Sequence, residues 1–425
     1  VLTSILNAWK IPDLRKRLIL TAAVLAIYRF GAWLPTPGVD AQSVRDLFNT
    51  SGNQTILGYL NLFSGQALQN LSLFALGIMP YITASIIMQL LVVLVPSLEA
   101  LQKEGESGQR RITQYTRYLT CGLAAAQSSL YVYIFHKGSA LGGSNALPNL
   151  TIRAFLLIVL SLTAGAMLLM WLGELVTRRG VGNGQSLLIF ASILVSIPTA
   201  ISAWLEGDVF EKLSLPCVMV AVILAVVFIN EGQRRIPIQY AKRSIGGFGS
   251  AAEATYMPMK VNQAGVIPVI FAAAVLVLPP TVGKLFSPLD FLSRWLEPSS
   301  WASIVFEFVL IVAFTFFYTA AVAFKPVEQA DNLRKAGGFI PGIRPGRPTA
   351  AFLDRVLMRL TFPGALYLGT IAVLPTIFIK EAHFSQATAR ALGGTSMLII
   401  VGVALDTMRQ IQSQVMMRHY EGFLK

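Results

Sequence analysis

The residues able to do chemistry in this chain are few, and their spacing limits what they can do. Three histidines (His136, His383, His419) and two cysteines (Cys121, Cys217) lie in separate segments. Neither set forms the cluster that a metal ion or an activated nucleophile needs, so no metal site, cofactor or catalytic residue is assigned. Cys121 falls in the inner half of one apolar segment and Cys217 near the outer end of another, which argues against a disulfide. No Walker motif, HExxH or GxSxG is present, so the chain is not read as an enzyme. Ionisable residues inside apolar segments mark ion and proton pathways by default. Here Arg29, Glu174, Glu307, Asp406 and Arg409 all lie toward segment ends, and Asp406 and Arg409 are spaced to pair on one helix face. A solute transporter coupled to protons or sodium would place a carboxylate or a backbone break at the midplane, and no two acidic residues approach it.

The elements that must position these residues are membrane spans. Of 425 residues, 54% are hydrophobic and 13% charged, with a mean hydropathy of +0.62; a soluble chain carries about 25% charged residues. Apolar runs predict ten spans near 18–34, 74–95, 114–135, 153–176, 184–203, 214–231, 264–282, 302–324, 360–379 and 392–411. Most of the 34 lysines and arginines fall in alternate connections, which puts both termini in the cytoplasm. The N-terminal stretch lacks a signal-peptide pattern and reads as an amphipathic helix leading into the first span. Two long basic loops, about 232–263 and 325–359, lie on the inner side. Their charge suits anionic lipid, RNA or an acidic protein surface, or serves only to set topology.

The stretch 60–95 admits two readings. Its first part, about 60–71, is short and spotted with Ser, Gly and Asn, and its second is long enough to cross; Gly77 and Pro80 interrupt it. One reading is a half-helix inside a watery cavity, because such a piece is unfavourable against lipid. The other is a proline-kinked span preceded by a surface loop. The two halves of the chain are also weakly similar. Gly77-Ile78-Met79-Pro80 in span two matches Gly265-Val266-Ile267-Pro268 in span seven, and Gly184-Gln185-Ser186-Leu187 in span five matches Gly394-Thr395-Ser396-Met397 in span ten. Partners five spans apart run in opposite directions, as in an inverted repeat with its site at the repeat interface. The chain therefore divides into 1–204 and 205–425. The alignment sets Ile82 against Ile270 and Ile189 against Ile399, with Ile78 one turn from Ile82. A collar of such residues closes by packing and by excluding water, although isoleucine is common in membrane spans.

In order along the chain, NLFSGQALQNLSLFALGIMPYITASIIMQLL (61–91), KEGESGQRRITQYTRY (103–118), MWLGELVTRRGVGNGQSLLIF (170–190), INEGQRRIPIQYAKR (229–243), KVNQAGVIPVIFA (260–272), ADNLRKAGGFIPGIRPG (330–346), RLTFPGALYLG (359–369) and YEGFL (420–424) resemble the bacterial SecY family, the channel subunit of the Sec protein translocase. The resemblance implies an all-α polytopic membrane protein of ten transmembrane helices, in two inverted five-helix halves around a central hourglass pore. It implies a pore ring of Ile78, Ile82, Ile189, Ile270 and Ile399. It implies a plug half-helix at about 60–71, with Leu60, Asn61, Leu62, Phe63, Ser64, Gly65, Leu68 and Leu71. It implies a lateral gate between spans two and three and spans seven and eight, with Ile86, Gln89, Asn183, Val269 and Ala273 beside it. Arg234, Arg235, Lys242, Arg243, Arg344 and Arg347 would dock SecA or the ribosome. SecE and SecG would be partner subunits, signal sequences and unfolded preproteins the cargo, and anionic lipid the surroundings in a bacterial cytoplasmic (inner) membrane.

Two departures from the family pattern stand out. The loop tip at 244–256 carries glycines where many relatives have an arginine pair, which puts an arginine contact to RNA there in doubt. Gln185 sets an amide one turn before Ile189, so the collar is read as five residues rather than six. The competing classes are a secondary transporter and a non-transporting scaffold. The first lacks a midplane polar pocket with a carboxylate, and the second leaves the half-helix unexplained.

Overall fold

The computed structural model describes residues 9, 11–50, 56–137, 150–240, 255–283, 291, 295–296, 300–381 and 393–423. Lys242, Arg243, the loop tip up to 254, His383 and residues 1–8 lie outside the described residues. Each predicted span falls on a helix. We number these α1 (Pro12–Gly31), α2 (Ala41–Thr50), α3 (Ile56–Phe63), α4 (Met79–Leu94), α5 (Pro96–Lys103), α6 (Glu106–Lys137), α7 (Ile152–Arg179), α8 (Gly184–Val195), α9 (Ile197–Glu206), α10 (Val209–Glu231), α11 (Ile267–Gly283), α12 (Trp301–Tyr318), α13 (Pro326–Lys335), α14 (Arg347–Glu381) and α15 (Gly394–Phe423). By length and composition alone, five helical segments among the described residues can cross a membrane: Ile152–Arg179, Gly184–Glu206, Val209–Glu231, Trp301–Tyr318 and Arg347–Phe378. The pair α4 and α5, bent by 97°, would make a sixth. Helices α6, α14 and α15 are 32, 35 and 30 residues long. At about 1.5 Å per residue each is longer than a hydrocarbon core of about 30 Å is thick.

Several boundaries differ from the sequence expectation, each for a local reason. The short helix runs Ile56–Phe63 rather than 60–71. Gly65 and Gln66 both take a left-handed φ of 65° and stop it; Leu68–Asn70 then forms one 3-10 turn, ended by Leu71 at φ 39°. Span two is helical only from Met79, because Gly77 sits at φ +57° and Pro80 favours the first helical turn. Span five divides at Ser196 into α8 and α9, with Pro198 opening the second piece. Span eight ends in a π turn, Thr319–Ala323.

The chain is not wholly α-helical. The two basic loops contribute a three-stranded antiparallel sheet of order β2-β1-β3 from β1 (Gln233–Tyr240), β2 (Thr255–Lys260) and β3 (Gly338–Phe339). Arg234 pairs with Met259 and Ile236 with Met257, and Gln239 meets Phe339. Ile236, Ile238, Met259, Phe324, Leu333, Ile340, Leu353, Val356 and Leu357 close a core beneath it. The loops are therefore one packed body, not two separate charged tails.

The internal similarity has a counterpart in backbone contacts. A methyl group on Gly184 would lie 2.0 Å from the Gly173 carbonyl oxygen on α7, and one on Gly394 would lie 2.1 Å from the Ala372 oxygen on α14. Gly165 of α7 meets the Leu73 carbonyl, four residues before Gly77, and Gly364 of α14 meets the Val261 carbonyl, four residues before Gly265. Gly77 and Gly265 share positive φ. The same close approaches thus recur at matched positions, where only glycine lets backbones meet.

Candidate functional site

The site is built where α4, α6, α8, α11 and α12 converge. A cavity of about 340 Å³ opens there. Its walls are mixed: Ser85, Gln89, Gln102, Gln109, Thr113, Thr116, Asn183, Gln185 and Ser186 line it beside Ile82, Met88, Val92, Val93, Ile112, Ile189, Ile267, Ile270 and Phe271. Asn183 also caps α8, accepting from the N–H groups of Gln185 (3.1 Å) and Ser186 (3.4 Å). Gln89 donates to Ser85 at 3.2 Å, but its buried carbonyl oxygen has no protein partner.

All five predicted ring isoleucines belong to one buried cluster, each 5% exposed or less. Ile82, Ile189 and Ile270 also line the cavity. Ile78 caps α4 from outside the helix, and its side chain lies near Gly173; neither it nor Ile399 faces the cavity. Leu62, Phe63 and Ala67 pack into the same cluster, so the end of α3 closes against the isoleucines. Below it lies a second, small cavity of about 40 Å³, lined by Leu62, Phe63, Ala273, Leu276, Val277, Glu307, Thr376 and Thr395. Along α11 the order is Ile267, Ile270 and Phe271 on the first cavity, then Ala273, Leu276 and Val277 on the second. Along α11 the change from the first space to the second therefore falls between Phe271 and Ala273.

Of the predicted gate residues, Gln89 and Asn183 line the first cavity and Ala273 the second; Ile86 and Val269 are buried in the cluster. Leu60, Leu68 and Leu71 pack in a neighbouring cluster with α2, α6 and α7, and Asn61 binds Gln69. Ser64 and Gly65 meet α1: their carbonyls accept from the Tyr28 hydroxyl (2.9 Å) and Arg29 Nη1 (3.0 Å). Arg45 on α2 donates to Asn70 at 2.6 Å. Asp40 opens α2, accepting from Ser43 (2.8 Å) and the Gln42 N–H (3.0 Å); the Ser43 hydroxyl first, and then that N–H, hold its carboxyl below the usual range. Sequence reasoning noted Arg29 and Glu307 but missed Tyr28, Ser192, Arg45 and Thr395. A Tyr-Arg pair inside an apolar run was the available signal.

The other ionisable residues are structural ties. Arg117 grips Glu174 through two nitrogens, Nε at 2.9 Å, with Arg178 3.8 Å away. Arg409 binds the Asn230 carbonyl (2.6 Å) and Glu231 (2.8 Å) more closely than Asp406 (3.9 Å), so its main tie is to α10 and not along its own helix. Glu307 accepts a hydrogen bond from Thr395 between α12 and α15. On the sheet body Arg234, Arg235, Arg344 and Arg347 are exposed. The Arg235 guanidinium lies 4.8 Å above the Tyr256 ring, and Arg344 projects from a turn flanked by Gly342 and Gly346, both at positive φ.

Comparison with known proteins agrees with this geometry. The SecY family profile matches residues 72–408. Protein translocase subunit SecY of Streptomyces galbus is 47% identical over 440 residues, covering all of both chains. A solved protein conducting channel superposes with a TM-score of 0.65 at 20% identity, over 93% of this chain and 91% of that one. A second solved structure, of a SecY translocation channel whose plug domain maintains a membrane seal, gives 0.64 at 19% identity over the same shares. This chain belongs to the SecY family.

Proposed function

We propose that this chain is a protein-conducting channel closed by an apolar collar and a short plug, and that unfolded chains pass through it and apolar segments leave sideways into lipid. One observation carries the reading. Along α11, Ile267, Ile270 and Phe271 line one space and Ala273, Leu276 and Val277 another, and the five isoleucines are buried in the same apolar cluster as Leu62 and Phe63 of α3. A collar of branched apolar side chains fits around an extended chain and wets poorly when empty. The polar residues of the first cavity, Ser85, Gln89, Thr113, Thr116 and Asn183 among them, suit a hydrated peptide waiting to enter. A guest segment of about 20 apolar residues gains roughly 25 cal/mol per Å² on moving into lipid, and the seam between α4 and α11 is its proposed exit.

Ten spans in two inverted halves, 1–204 and 205–425, with both termini in the cytoplasm of a bacterial cell, complete the proposal; the matched glycine contacts support the repeat. The chain works as one subunit of a translocase, with SecE and SecG as partners. It has no fuel of its own, so SecA or a translating ribosome supplies the work at the exposed arginines of the sheet body, Arg344 foremost. The test is a cross-link. With Cys121 and Cys217 replaced, a single cysteine at Ile270 should form a disulfide with a cysteine in the mature part of a stalled precursor, dependent on ATP and on the signal sequence. Adducts only at lipid-facing control positions would remove Ile270 from the path.

A further inference from the structure

Glu307 is a buried carboxyl that neither the collar nor the docking face uses. On α12, Ser303, Glu307, Ile311 and Thr315 stand four residues apart and are all buried, while Val305 and Val309 on another side are exposed. Glu307 therefore points into the protein and not toward lipid. Its carboxyl accepts from the Thr395 hydroxyl, in the first turn of α15. That end of a helix carries a partial positive charge and suits a negative group. Arg117 answers the charge of Glu174, but among the described residues no cation pairs with Glu307. A tie between α12 and α15 needs only an acceptor, which an amide oxygen would supply as well. What the carboxyl adds is charge, and charge inside a span is costly unless it is used.

The place of Glu307 points to that use. It lies on the wall of the second cavity, about 40 Å³, beside Thr376, Thr395 and Ser396. Among the described residues lining that cavity it is the only ionisable one, and Leu62 and Phe63 of α3 complete the wall. Lys380 lies 4.6 Å from the Trp301 ring and Arg29 is bonded to the Gly65 carbonyl; neither lines the cavity. A low-dielectric cleft lined by one sign of charge gathers ions of the other sign and repels its own.

Resting on the channel reading, we propose that Glu307 sets the charge preference of the conducting path, favouring monovalent cations over anions at the second cavity. At the dielectric of water, a unit charge about 7 Å away changes the local concentration of a monovalent ion about threefold. Cation and anion respond in opposite directions, so the permeability ratio of K+ to Cl− changes by about sevenfold.

The test is a reversal potential. Leu62 and Phe63 cover the cavity, so the translocase complex is made with a chain lacking 56–63, with Cys121 and Cys217 replaced, and placed in a planar bilayer under a KCl gradient. Glu307→Gln, which can still accept from Thr395, should lower the K+/Cl− ratio about sevenfold, and Glu307→Asp should retain it. Glu307→Cys should lose the preference, regain it on labelling with a sulfonatoethyl thiosulfonate and reverse it with the trimethylammonium reagent. A purely structural role would not follow the sign of the label. Equal reversal potentials with Glu and Gln, a cysteine at 307 that does not react, or labels of opposite sign acting alike would each overturn the proposal. If the chain lacking 56–63 conducts no better than the intact one, the channel reading falls and this inference with it. If it conducts with a preference indifferent to residue 307, only this inference falls.

Discussion

Replacing Gly184 by alanine would set a methyl carbon 2.0 Å from the Gly173 carbonyl oxygen. Close carbon–oxygen contacts lie at about 3.3 Å, so α8 and α7 must part by about 1.3 Å at that level. The obstacle is helix backbone and cannot rotate away, so the cost falls at the upper end of overpacking, about 3 kcal/mol. The displacement also reaches the collar, because α8 carries Ile189 little more than one turn on. A gap of about 0.5–1 Å there forfeits a quarter to a half of each dispersion contact. Gly184→Ala is therefore expected to lower the thermal midpoint of the purified complex by several degrees and to raise anion leak through vesicles that contain it. Gly394→Ala, facing Ala372 O at 2.1 Å, should do the same from the other half. Gly122→Ala is the control: no atom lies within 4 Å of its new methyl, and helix propensity makes it neutral or stabilising by up to about 1 kcal/mol. Wild-type midpoint and seal in Gly184→Ala would refute both the packing argument and the link from α8 to the collar.

Glu174→Ala leaves the Arg117 charge part-buried without its partner, and because that side chain is 32% exposed the loss is about 2 kcal/mol rather than the 3–5 of a fully buried pair; adding Arg117→Met should recover most of it in thermal unfolding. Arg344→Glu should cut stimulation of the SecA ATPase about tenfold or more by placing like charges at the docking face, with an unchanged melting midpoint because the side chain is exposed. The Asp40 carboxyl is held below its unfolded value, so its contribution is complete above the unfolded range and is lost as pH falls through the folded one. Asp40→Ala should accordingly be destabilising at neutral pH, with the difference from wild type shrinking as pH falls through the folded range, so that the acid limb of a stability-versus-pH curve flattens.

The spans were legible because burial in lipid demands long apolar runs, and the glycine–proline motifs were legible because a left-handed residue before a helix start admits few alternatives. The half-helix was misplaced by four residues at its start and eight at its end. Its stop depends on Gly65 and Gln66 turning left-handed, and Gln66 gives no such signal in sequence. The sheet was invisible for a related reason. Pro237 and Pro258 interrupt the paired strands, and proline ordinarily argues against a strand. Here β3 pairs only with Gln239 and Tyr240, so Pro237 faces an open edge and misses no bond. The Tyr28 hydroxyl joins residues 36 and 164 positions apart, Ser64 and Ser192, a distance that no local pattern encodes.

A seal that must open repeatedly cannot be the most stable packing available. The five isoleucines of the proposed collar are buried below 6% exposure, and such apolar contacts exclude water without fixing direction. Polar groups behave differently, since each buried donor left alone costs about 1–3 kcal/mol. Such bonds hold the stretch after α3 in place: Asn61 to Gln69, Ser64 to Leu68 and Thr36 to Leu71. Where α3 meets α1, the donors have a second partner within reach, Ser192 for Tyr28 and solvent for Arg29.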